Sequence, residues 1–122
     1  MATVELAVCL PVLVLIVFGS IQATNLIYLQ HAATSAAYEG MLELAKPNAT
    51  NDSVEARIQQ VLEARELTET EIRLAPDGIN ISQAPPGDTV TIEVTANVRA
   101  NLALSGFIIT PEFVRASVVG TR

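Results

Sequence analysis

The chain has 122 residues, room for one small domain, and carries 13 acidic against 7 basic residues for a formal net charge of −6. Half of its residues are hydrophobic but only 4% are aromatic, so the apolar content is aliphatic, and a mean hydropathy of +0.40 is high for a soluble domain of this size. An acidic chain with a single Lys has no basic stripe for nucleic acid, and one Cys excludes an internal disulfide or a cysteine zinc cluster. With one His and no Asp-rich loop, neither a metal nor a cofactor is expected.

The apolar residues gather at the N-terminal end. Through Tyr38 the only formally charged side chain is Glu5, and the other acidic residues and all the basic ones follow. Residues 6–18 are apolar throughout, and after Gly19, Ser20, Gln22, Thr24 and Asn25 the run resumes at 26–29. Read from Val4 to Leu29, this is long enough to cross a hydrocarbon core of roughly 30 Å as a helix. A secretory signal peptide is the alternative, but no Lys or Arg precedes the run. Helical spacing also continues through Ala32, Ala33, Ala36, Ala37, Met41 and Leu44, to a stop at Lys46–Pro47. A helix of about 40 residues is on the order of 60 Å long, so its outer half must leave the bilayer and pack on something else.

Pro11 and Gly19 mark where that helix can kink or unwind, although proline is also tolerated in membrane helices without further meaning. Glu5 is an ionisable group in an apolar helix and so a candidate functional group. It either complements the positive end of the helix dipole or pairs with a cation, and an N-terminal amine such as that of Met1, in its own or a neighbouring chain, is the nearest one.

Residues 46–53 form a loop by composition, and Asp52 with Glu55 is spaced as a capping box for a second helix with Val54, Ile58, Val61 and Leu62 on one face, ending near 66–68. Residues 72–74, 79–81, 89–99 and 114–119 then read as strands, with turns at Asp77-Gly78 and Pro85-Pro86-Gly87-Asp88. Between 89 and 99 the alternation of Val90, Ile92, Val94, Ala96 and Val98 with polar residues predicts a sheet with one buried face. The expected fold class is therefore α+β: residues 1–46 a long apolar helix, and 47–122 a small head with a sheet of three or four antiparallel strands packed on the outer half of that helix.

The connection 102–113 holds Leu102, Leu104, Phe107, Ile108, Ile109 and Phe113, an apolar set that either roofs the core or marks a subunit interface. A membrane-surface contact is the weaker alternative, with only Arg99 and Arg115 nearby. Asn48, Asn51 and Asn80 fit the N-glycosylation pattern. His31 lacks an acidic or thiol partner at useful spacing, Cys9 sits in the apolar run, and there is no phosphate loop or nucleophile elbow, so no catalytic residue is expected.

The segment Met1-Ala-Thr-Val-Glu5 through Pro11 to Phe18-Gly19, with Tyr28-Leu29-Gln30 and Ala36-Ala37-Tyr38-Glu39-Gly40, resembles the TadE-like pilin-related proteins of tight-adherence pilus systems, within the type IV filament superfamily. That resemblance implies cleavage by a prepilin peptidase that leaves glutamate at the fifth position, so that Met1 is read as the mature first residue. It also implies a pilin-like fold, insertion in a bacterial inner membrane, and export into an extracellular filament of copies of the same chain with the help of pilus assembly machinery. A single-pass anchored periplasmic adaptor or pilus assembly protein that never polymerises is the alternative.

Overall fold

The computed structural model describes residues 1–102 and 111–122. Helix α1 (Ala2–Leu44) is followed by α2 (Asn51–Ala64), β1 (Thr70–Ala75), β2 (Thr89–Asn97), the single turn α3 (Val98–Asn101) and β3 (Phe113–Thr121). The strands form an antiparallel sheet in the order β1-β2-β3, with Ile72 opposite Val94 and Val94 opposite Ala116. The α+β, pilin-like layout expected from the sequence is the one observed.

The strand period of two decides which face is covered. Val90, Ile92, Val94 and Ala96 of β2 are fully buried, and Leu74, Val114 and Ala116 of the flanking strands join them. Over this face lies the outer half of α1, whose buried residues Leu29, Ala32, Ala33, Ala36, Ala37, Gly40 and Leu44 recur at helical spacing. Small side chains let the helix approach closely. A Cβ on Gly40 would lie 2.6 Å from Ile58 Cδ1 of α2, and one on Gly120 of β3 would lie 2.7 Å from Met41 Cγ. The helix also protects the outer edge of β3, where Gln30 Nε2 donates to the Arg115 carbonyl at 3.2 Å.

Helix α2 begins two residues earlier than a box of Asp52 and Glu55 requires. Thr50 Oγ1 accepts from the Ser53 backbone at 3.1 Å and Ser53 Oγ accepts from the Thr50 backbone at 3.0 Å, so Thr50 and Ser53 form the box. Asp52 lies in the first turn instead, where its charge complements the helix dipole. Ala64 ends the helix before the expected 66–68, because Glu66 adopts φ 58 and the Leu67 N–H returns to the Leu62 carbonyl at 3.0 Å, tucking Leu67 into the core. Arg57 of α2 ties back to α1 through Glu39, with Nη2 2.8 Å from Oε2.

Residues 79–81 are not a strand, and the reason is a side chain. Asn51 Nδ2 donates to the Ile79 carbonyl at 2.6 Å and its Oδ1 accepts from the Ile81 N–H at 2.9 Å, so one amide satisfies the groups a neighbouring strand would have paired. Ile81 is thereby fixed in the core, fully buried. We expect Asn51→Ala to lower stability by about 1–3 kcal/mol by leaving two part-buried backbone groups unpaired. Chemical denaturation of the two proteins in detergent measures this, and a loss near zero contradicts the role. β2 likewise stops at Asn97, not Arg99, since Asn97 Oδ1 accepts from the Arg99 and Ala100 N–H groups and turns the chain into α3.

The bidentate pair of Arg73 with Asp77, at 3.0 and 2.7 Å, spans the turn after β1. Hydrogen bonding and charge from Arg73 hold the Asp77 carboxyl below its ordinary range, so the pair favours folding at neutral pH and the gain fades as pH falls through the lowered value. Both groups are open to solvent, where screening leaves such a pair little influence.

Candidate functional site

No described group of His, Cys, Asp or Glu could hold a metal ion. His31 and Cys9 are exposed on α1, apart from any acidic partner. A groove of about 750 Å³ between α1 and α2 is lined by residues that include Glu39, Glu43, Lys46 and Arg57, which are engaged in the pairs Glu39–Arg57 and Glu43–Lys46. The functional feature is a surface.

From Ala2 to Val17 every residue of α1 is exposed, and beyond it Phe18, Gly19, Asn25 and Leu26 are partly covered and Gln22 is buried. Its apolar stretch has a mean hydropathy of 2.6 with none of it buried by the rest of the chain. Exposed positions include six successive residues, Val12 to Val17, and therefore face every direction around the helix. A soluble core helix would bury one stripe, whereas an all-round apolar helix belongs in lipid or among other such helices. Two of the polar interruptions are satisfied within the helix, Ser20 Oγ donating to the Ile16 carbonyl at 2.7 Å and Thr24 Oγ1 to the Ser20 carbonyl at 2.9 Å, and Gln22 is buried at 4% exposure. These side chains can lie at membrane depth without a hydroxyl seeking water.

Glu5 is exposed in the first turn of α1, its N–H donating to the Met1 carbonyl at 3.2 Å, and Met1 is fully exposed. Glu5 thus sits in the first turn of the helix, surrounded by aliphatic surface. The described ion pairs lie farther along the chain, from Glu39 onward. Pro11 and Gly19 lie inside the continuous helix of this single chain, and Pro11 offers no N–H to the Ala7 carbonyl.

Of the apolar connection, Leu104, Phe107, Ile108 and Ile109 lie outside the described residues. Leu102, 8% exposed, belongs to the core of its own head, and Phe113 is 53% exposed at the start of β3. Asn48 and Asn80 are exposed, Asn80 bonded to Ser82 within its own turn, whereas the Asn51 amide holds the 79–81 loop. Sequence reading missed that clamp, and a second one in which Asn101 bonds both the N–H and the carbonyl of Thr68. An Asn in a turn-rich stretch is the only signal for either, and the triplet at Asn51 drew attention to glycosylation instead.

The family model for TadE-like proteins matches residues 1–41, which is the bare helix and the first part of its packed continuation. No curated protein and no solved structure matches the chain. This similarity over residues 1–41 and the bare apolar helix point to a Tad pilus-related membrane protein.

Proposed function

We propose, with that family match as premise, that the chain is a structural pilin-like subunit that waits in the bacterial inner membrane and is then drawn into an extracellular filament built of its own copies. The observation that carries this is the all-round exposure of the apolar half of α1 beyond a head that is already folded. Lipid satisfies that surface before assembly. Side-by-side helices from other copies satisfy it afterwards with the same Val, Leu and Ile side chains, and a contact repeated by a screw operation gives an open fibre.

In this reading a prepilin peptidase generates the amino terminus, Glu5 pairs with an N-terminal amine as subunits join, and the assembly machinery extracts the chain. Pro11 and Gly19 let α1 lengthen between about residues 7 and 19 inside the filament, where neighbouring protein can satisfy freed carbonyls. Phe113 and the apolar residues 104–109 are contact residues of the head. Shearing surface filaments and identifying their proteins by mass spectrometry tests the proposal. The chain is expected in the sheared fraction, and its retention in the inner membrane while filaments form without it supports a non-polymerising adaptor instead.

A further inference from the structure

The head has an end that meets the bilayer, and the geometry identifies it. With Glu5 at the inner boundary, about 20 helical residues cross the hydrocarbon, so α1 reaches the outer boundary near Asn25. The head begins almost at once, with Leu29 buried and Gln30 bonded to β3. β3 runs up the helix away from the span: Arg115 meets Gln30 near its start, and Gly120 meets Met41 and Leu44 near its end. The start of β3 is therefore level with the end of the span.

At that level an apolar groove of about 350 Å³ lies between Leu26, Ile27 and Gln30 of α1 and Phe113, Val114 and Arg115 of β3. Ile27 is 58% exposed, Tyr28 52% and Phe113 53%, so two of the five aromatic side chains of the chain stand open within one turn of the boundary. Tyr28 favours this depth because its ring can lie in the acyl chains with its hydroxyl among the headgroups, and Phe113 adds apolar surface at the same level. Arg115, exposed in the same groove, can extend its guanidinium to lipid phosphates while its stem stays in the apolar layer.

We infer that, before assembly, this groove is seated in the outer surface of the membrane, with Phe113 and Tyr28 as interfacial anchors that hold the head down and fix its rotation about α1. The inference rests on the reading of α1 as a span and adds a second lipid contact to it. Because the groove lies at the level where the span ends, lipid is its nearest apolar partner. Burial of one aromatic side chain there also offsets the freedom the head loses on lying against the surface.

The chain has no Trp, so a single introduced Trp reports depth. Phe113→Trp, Val119→Trp and Leu13→Trp are placed separately in the full chain, in vesicles of phosphatidylethanolamine and phosphatidylglycerol containing lipids brominated either near the glycerol or near the acyl end. Val119, 61% exposed farther up β3, is the solvent control and Leu13 the span control. Phe113→Trp is expected to be quenched severalfold more than Val119→Trp by the shallow bromines, and Leu13→Trp mainly by the deep ones. Quenching at 13 with none at 113 above the control overturns the membrane contact but keeps the span. Absence of quenching at all three sites overturns both. If Trp at 113 is shielded only in filaments, the groove is a subunit contact and the inference fails.

Discussion

Glu5→Gln is expected to abolish filaments, or reduce them to a small residue, at equal protein level and with membrane insertion normal or improved. The substitution keeps shape and removes charge. Glu5 is the only charged side chain before Glu39, on a helix whose surrounding surface is aliphatic. Enclosed by neighbouring copies of α1, an unpaired carboxylate would cost several kcal/mol or take up a proton, and an amine within hydrogen-bond reach offsets that cost. In the proposed filament the pair would also set register: sliding uniform aliphatic helices past one another by a turn changes packing little, but it separates the two charges. In the membrane the same charge only opposes burial, so its loss makes insertion no harder. Filament counts by electron microscopy against immunoblots of the membrane fraction measure the effect. Wild-type yield from the Gln variant would reduce Glu5 to a helix-end charge and favour the adaptor.

The second large effect lies in the head, at the crossing of α1 and α2. A Leu at Gly40 would have to occupy space that Ile58 Cγ1 and Cδ1 already fill, 2.6 Å from the first added carbon. Overpacking of this kind costs about 1–3 kcal/mol, even though Leu favours helix more than Gly does. Ile58→Ala, at a fully buried position, costs about 2–5 kcal/mol through the cavity it leaves. The two faults are complementary. The double variant should lose less than the sum of the single losses, because the new Leu enters the space vacated by Ile58. Urea unfolding of the head, followed on the full chain in detergent, gives all three values. Strict additivity would mean that Gly40 is not held by that contact.

Periodicity carried most of the fold. The alternation along β2 and the recurrence of Leu29, Ala33, Ala36 and Gly40 on α1 are consequences of burying one face, and a pattern forced by burial can be read from the chain. Positions where a side chain substitutes for backbone left no such trace. Residues 79–81 have the composition of a strand, yet their partner is the amide of Asn51, about 30 residues away in sequence. The cap of α2 was misplaced by the same kind of local competition, since Thr50 with Ser53 and Asp52 with Glu55 offer similar boxes and Asn51 must sit at the first helical position to reach the loop. The functional helix was legible for a different reason. Residues 2–17 are exposed all round, so an apolar run with one acid near its start is legible without any knowledge of packing. The counter-charge proposed for Glu5 is an amine brought by assembly, and no pattern along the chain encodes it.

A helical density map of filaments sheared from cells is the most direct measurement. The account predicts α1 helices of successive copies side by side along the axis, each Glu5 carboxylate within hydrogen-bond distance of a neighbouring amine, and a departure from regular helix between about residues 7 and 19. Filaments whose core holds some other chain, or in which α1 of this one lies outside the core with Glu5 facing solvent, would contradict it.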